Sequence, residues 1–403
     1  MMHIFSDRIE RIQVSPTAKI SDRARQLKAM GVDIISLSQG ESDFETPSSI
    51  KKAARRAIDE GFTRYTQIDG VPELKEAVCA KFRDENNISY QMSEITVTSG
   101  CKQLLFNALM TLVNNGDEVI IPSPYWVSYV AMVEIADGSP VVIPCKSANN
   151  FKLTPEQLDA SITPKTRCLI LNSPSNPSGA VYSRSELSAL AEVLLEHQQV
   201  IIIADDIYEH LVYGKAEFST IAEVEPQLKS RTLTCNGMSK AYSMTGWRIG
   251  FAGGPEPLIQ AINKLQSQSN FHPASISQYA AIAGLSGDKH FLKERRSAYQ
   301  ERRDTLVREL NHIYGIECSI PDGAFYVFPS CADLLGHLTP DGDTLKTDSD
   351  IVKFFLDTAG VALVPGEAFG YPGYFRASYA TDIDTLLRAC ERLRTASEKL
   401  ISV

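Results

Sequence analysis

Between residues 94 and 253, short apolar and β-branched runs alternate with stretches whose leucines and alanines recur at spacings of three and four. A brief apolar run closed by Gly, Pro, Asn or Ser suits a strand covered on both faces. The three-four recurrence suits a helix laying one face on a sheet. The pattern predicts strands over 95–98, 118–121, 141–144, 168–172, 200–204, 232–235 and 249–252, with helices over 102–113 and 185–197. Such alternation builds an α/β fold, a large and mostly parallel seven-stranded sheet between helices. After residue 291 the texture changes to a long charged helix over 292–314, short strands over 324–328, 361–364 and 374–379, and a helix from Asp382. This predicts a smaller α+β domain. Residues 331–349, rich in Gly, Asp and Thr, are expected to form a surface excursion. The expected division is an N-terminal segment, 1–45, that joins part of the small domain, a large domain over 46–290 and a small C-terminal domain over 291–403.

Composition narrows the class. A chain of 403 residues with 43% hydrophobic and 22% charged positions can bury more than one core. The formal net charge of −9 opposes general affinity for nucleic acid, which requires a basic face. Eight cysteines are scattered without a Cys-x-x-Cys pair or zinc spacing, the expectation being reduced thiols in a cytoplasmic protein. Asp7, Arg8, Glu10 and Arg11 stand where a secretory leader needs an apolar stretch, and no run of eighteen apolar residues is present, so neither export nor a membrane span is expected.

The candidate chemistry begins at Asn236-Gly-Met-Ser-Lys-Ala-Tyr-Ser-Met-Thr-Gly-Trp-Arg248, directly after a predicted strand. The amine of Lys240 can form an imine with an aldehyde cofactor, while Ser239 and Arg248 can bind a phosphate close by. This segment resembles the cofactor-lysine motif of class I, fold-type I aminotransferases, which use pyridoxal 5'-phosphate. Asp205, at the carboxyl end of the strand over 200–204, stands where α/β sheets place ligands and can keep the cofactor's pyridine nitrogen protonated. The turn Thr98-Ser-Gly-Cys-Lys102 joins a strand to a helix start, so the amides of Gly100, Cys101 and Lys102 form an anion cradle.

Further roles follow from the resemblance alone. It implies that Tyr208 and Asn176, the latter in Asn172-Ser-Pro-Ser-Asn-Pro-Ser-Gly179, hydrogen-bond the cofactor's 3'-oxygen, and that Trp126 stacks on its ring. It also implies that Tyr65 reaches the phosphate of the neighbouring subunit, that Gly40 contacts the substrate carboxylate and that Arg376 grips it. A homodimer with shared sites is the expected assembly. The motifs run in family order from about Ser38 to Tyr379, and the wider text is similar to bacterial aspartate aminotransferases of the subgroup that includes prephenate aminotransferases. Two departures stand out: Ser42 where family members commonly have proline, and Asn270, Phe271 and His272 where they carry small hydroxyl residues.

The expected activity is ping-pong transamination between an amino acid, first aspartate or glutamate, and a 2-oxo acid. Lys102 matches the lysine that the resembling subgroup uses for a substrate's distal carboxylate. An aromatic or prephenate-like substrate, shaped by Phe271 and His272, is the second reading. A pyridoxal-phosphate lyase would share every cofactor residue. A ligand-sensing regulator would need a DNA-binding segment, for which the stretch before Ser38 is too short, and a dehydrogenase would need a Gly-rich nucleotide motif that is absent.

Overall fold

The computed structural model describes residues 4–14 and 16–402; residues 1–3, Ser15 and Val403, which the expected terminal segments include, lie outside the described residues. All seven expected strands of the large sheet form: β2 (Ile95–Thr98), β3 (Glu118–Ser123), β4 (Ser139–Pro144), β5 (Thr166–Asn172), β6 (Ile201–Asp205), β7 (Thr232–Gly237) and β8 (Gly250–Gly253). They lie in the order β2-β8-β7-β6-β5-β3-β4. Only β8 runs against its neighbours.

Alternation along the strands divides the apolar side chains between two faces. Val119, Ile121, Cys168 and Ile170 enter the core that includes the helix Cys101–Leu112. Their neighbours Ile120, Leu169 and Leu171 meet Leu187, Leu190 and Leu194 of the helix Arg184–Glu196 on the other face. That helix starts one residue earlier than the apolar spacing suggests because Ser183 and Glu186 close a capping box around its first turn.

The sheet's direction places the chemistry. Strands β3, β5, β6 and β7 are mutually parallel, and β2 is antiparallel to β8, which is antiparallel to β7. The carboxyl ends of β2, β3, β5, β6 and β7 therefore share one edge with the amino end of β8. Register aligns them further, pairing Asn172 with Asp205, Asp205 with Cys235, and Thr98 with Gly250.

A second layer is built from the chain's two ends. Strand β1 (Ile35–Ser36) pairs in parallel with β10 (Val361–Ala362), while β11 (Val364–Pro365), β12 (Phe375–Ser378) and β9 (Tyr326–Val327) form an antiparallel sheet in the order β11-β12-β9. The strand expected over 361–364 is thus cut at Leu363, and its halves take different partners. The long helix is His290–Leu310, shorter at its carboxyl end than expected. Just beyond that end, the Asn311 side chain bonds both the amide and the carbonyl of Cys318, turning the chain back. Residues 331–349 are an excursion with anchors: Cys331, Leu334 and Leu345 join the core, and Thr347 caps the helix Asp348–Ala359.

Candidate active site

A cavity of about 490 Å³ opens over the shared sheet edge. Its wall brings together Gly40, Cys101, Lys102, Trp126, Asn176, Asp205, Tyr208, Ser239, Lys240, Arg248 and Arg376, residues that the sequence singles out from segments far apart in the chain. Gly100 lies just behind this wall, packed so closely on Arg248 that a Cβ there would come within 2.8 Å of the guanidinium carbon. Tyr65 stands apart: it is 88% exposed and meets Phe271 and His272 edge-on, with ring centroids 5.5 and 5.6 Å away.

Lys240 follows β7 and turns its Nζ to donate to the Gly40 carbonyl at 2.6 Å. The faces of Tyr208 and Phe325 lie 5.6 and 5.7 Å from the same nitrogen. Gly40 reaches this place because Leu37 donates to Ala362 at 2.9 Å and accepts from Ser378 at 2.8 Å, stitching the N-terminal segment beside β12. The next residues are fastened as well. Ser42 Oγ accepts from the hydroxyls of Tyr299 at 2.7 Å and Ser243 at 2.9 Å, a role that the proline common in the family has no atom for.

Asp205 ends β6 at 4% exposure. Tyr129 donates to its Oδ2 at 2.6 Å and the Cys101 thiol approaches Oδ1 at 3.7 Å. Burial lifts this carboxyl above its ordinary value, while Tyr129, the Ile207 amide, Cys101 and Lys240 pull the other way. The Tyr208 hydroxyl is pushed well up, by burial first and then by Tyr326, with which it shares a 2.9 Å hydrogen bond.

Arg376 lies in β12 at 3% exposure, fully rather than half buried as its strand context suggests. Its NH1 donates to Asn176 Oδ1 at 3.0 Å and its NH2 to the Ser38 carbonyl at 2.6 Å, but its Nε has no partner. No carboxylate pairs with it among the described residues, and burial lowers its affinity for its proton. Lys102, on the same cavity wall, holds its Nζ 5.2 Å from the Trp126 ring.

These groups are mutually complementary to one kind of ligand. A buried guanidinium short of an anion, a buried carboxylate short of a cation, a lysine amine and a helix start facing Arg248 fit a molecule with a protonatable ring nitrogen, a carbonyl and a phosphate. Tyr129 and Tyr326 also line the cavity, and the sequence reading passed over both. Tyr129 carried a usable signal, since it lies three residues after Trp126 at the start of the helix Ser128–Ile135 and so shares its side. Tyr326 carried none, because alternation in a short strand does not say which face meets a ligand.

Fold and cavity together define an enzyme that handles amino groups through an aldehyde cofactor, and the chain belongs to the family of class I and II aminotransferases, whose model matches residues 32–393. Enzymes of this family depend on pyridoxal 5'-phosphate and move an amino group between an amino acid and a 2-oxo acid. The chain is 52% identical over 395 residues to an aspartate aminotransferase of Rhizobium meliloti (strain 1021), covering 98% of this chain and 96% of that one. It is 51% identical over 393 residues to an aspartate/prephenate aminotransferase of Cereibacter sphaeroides (strain ATCC 17029), covering 98% of each. Among solved structures, the crystal structure of the aspartate aminotransferase from Rhizobium meliloti superposes with a TM-score of 0.96 at 51% identity, covering 99% of this chain and all of that one.

Proposed function

We propose that the enzyme takes its amino group from aspartate or glutamate and delivers it to 2-oxoglutarate or oxaloacetate in a ping-pong cycle. The observation that carries this reading is that two of the cavity's four cationic side chains, Arg376 and Lys102, remain once Lys240 and Arg248 are assigned to the cofactor, and neither is paired with a carboxylate among the described residues. A dicarboxylic amino acid offers one carboxylate to each. The names of similar proteins point the same way.

When bound, pyridoxal 5'-phosphate supplies the carbonyl that takes up the amino group and a ring that accepts the electrons left when the substrate Cα loses its proton. Lys240 would hold the cofactor through its amine, and the same amine would take and return the proton at the substrate Cα. Asp205 would keep a proton on the ring nitrogen, and Tyr208 and Asn176 would donate to the 3'-oxygen. Arg376 takes up the Asn176 carbonyl oxygen, leaving that side chain's amide hydrogens to point elsewhere. The amides of Gly100, Cys101 and Lys102, with Ser239 and Arg248, would hold the phosphate, and Trp126 would cover the ring. Gly40 and Arg376 hold the α-carboxylate. We place the enzyme in the cytoplasm as a homodimer in which Tyr65 reaches the neighbouring phosphate; its exposure outside its own cavity supports this. Among the described residues no helix is long and apolar enough to cross a membrane. The large domain, 46–290, carries the cofactor, the small C-terminal domain spans 291–403, and part of the N-terminal segment 1–45 joins it.

Borohydride reduction followed by peptide mapping should label Lys240; a label on another lysine overturns the cofactor assignment. A charge-assisted hydrogen bond contributes roughly 1.5 to 3 kcal/mol, so Lys102→Ala should cut kcat/KM for aspartate by about 10- to 150-fold and leave alanine nearly unchanged. An aromatic or prephenate-like substrate is the second reading, favoured by the double name of the Cereibacter relative. Phe271 and His272 lie outside the cavity wall and lend it no support from within this chain. Steady-state comparison of aspartate, glutamate, phenylalanine and alanine decides, and a wild type that prefers phenylalanine defeats the acidic assignment.

A further inference from the structure

Tyr326 touches three of the site's working parts: Tyr208, Arg376 and Gly40. Its hydroxyl lies 2.9 Å from that of Tyr208, and its ring carries the Arg376 guanidinium 4.4 Å from the centroid. Gly40 packs on the same hydroxyl so tightly that a Cβ there would collide with it. The residue is 1% exposed and its surroundings hold it from both sides. Its strand β9 pairs Tyr326 with Ser378, two residues from Arg376, while Ala324 just before it is held in a left-handed turn at φ 59° by a 2.9 Å bond from its amide to the Leu211 carbonyl.

We propose that Tyr326 is a positioning residue with two separable functions: its hydroxyl orients and polarises Tyr208, and its ring holds the plane of Arg376 for the substrate carboxylate. The proposal rests on the site reading given above. Burial opposes the ionisation of Tyr208 and keeps it protonated, so it has one hydrogen to donate. If Tyr326 donates to the Tyr208 oxygen, that hydrogen is left for the cofactor's 3'-oxygen, and the chained bonds strengthen one another. Arg376 has two remaining supports, the Asn176 carbonyl oxygen and the Ser38 carbonyl, both on its NH1 and NH2 ends. Neither of them covers the face of the guanidinium; the rings of Tyr326 and Phe369 do, the latter at 5.1 Å.

The test compares wild type, Tyr326→Phe and Tyr326→Leu as holoenzymes, each first checked for folding by its melting temperature. The bound cofactor's absorbance is titrated against pH, and KM and kcat are measured for aspartate. Tyr326→Phe removes the hydroxyl and keeps the ring. Its absorbance midpoint should rise by about half a pH unit or more, because the 3'-oxygen loses part of its stabilising donor, while KM stays within about twofold. Tyr326→Leu removes both and should add a rise in KM of about 3- to 30-fold, the range of a desolvated cation–ring contact. A Phe variant whose midpoint matches wild type overturns the hydroxyl's role, and a Leu variant with unchanged KM overturns the ring's. A residue that only filled space would lower the melting temperature and move neither. Borohydride labelling of Lys240 in all three proteins keeps the two readings apart: a label elsewhere defeats the site assignment, whereas correct labelling with an unmoved midpoint defeats only the role of Tyr326.

Discussion

Asp205 and Asp206 are adjacent in sequence and differ in surroundings. Asp205 faces the cavity, where Tyr129 and Cys101 attend its oxygens. Asp206 is 4% exposed, lines no part of that cavity, and its Oδ2 lacks a hydrogen-bond partner. Burial pushes its carboxyl well above the ordinary range, and the neighbouring Glu209 and Asp205 add to the rise against Lys81. A group whose folded value is raised binds its proton more tightly in the folded state, so its contribution to stability is complete below about pH 4, the unfolded value, and is lost as pH climbs through the folded value. Asp206→Asn removes that titration. The melting temperature of the variant relative to wild type should therefore become more favourable from pH 5 to pH 8, as read by thermal melts across that range. A difference that stays flat with pH would mean that Asp206 titrates alike in both states. The sequence shows two acids at a strand end and nothing of this contrast, because desolvation is set by what packs around each carboxyl.

At the scale of elements, the proposed cofactor cradle depends on how closely β8 approaches the start of the Cys101–Leu112 helix. A Cβ on Gly250 would meet the carbonyl carbon of Gly100 at 2.5 Å and the Cα of Cys101 at 2.9 Å, both backbone atoms that cannot swing aside. Gly100 itself needs φ 85°, a left-handed conformation that suits glycine. Gly250→Ala should therefore displace the cradle, costing about 1 to 3 kcal/mol of stability by overpacking and weakening cofactor retention by at least about tenfold. Equilibrium denaturation and dialysis against free cofactor measure the two effects. Wild-type retention in a destabilised variant would show that the cradle is set elsewhere. Here the strand-turn-helix geometry was legible in Thr98-Ser-Gly-Cys-Lys102, where the strand ends at Thr98 and the helix begins at Cys101. It did not reveal Gly250, which matters only because β8 pairs back against β2, placing it opposite Thr98.

At the scale of the whole molecule, Tyr65 is a predicted site residue that lies outside its own chain's cavity and is 88% exposed. With the shared-site homodimer proposed above, mixing Lys240→Ala chains with Tyr65→Ala chains should produce hybrids with one doubly defective site and one intact site. Activity should recover toward about half of the wild-type value per hybrid, scored after subunit exchange has been demonstrated by mass. Exchange without recovery counts against sharing.

The sequence by itself determined the large sheet, the order of its motifs and the residue types at its carboxyl edge. Those features are written locally, in apolar runs of strand length followed at once by turn residues, and parallel pairing carries each turn to the same edge. Tertiary structure decided the rest. Two-residue β1 exists because residues 35 and 36 find residues 361 and 362, and that pairing, continued by the Leu37 bonds to Ala362 and Ser378, sets Gly40 beside Lys240 and Ser38 beside Arg376. The same packing split the expected strand at Leu363, buried Arg376 completely and turned Tyr129 and Tyr326 into the cavity. A short strand or a lone tyrosine has too little local preference to announce its partner, so contacts between residues hundreds of positions apart settle which face it shows and what it touches.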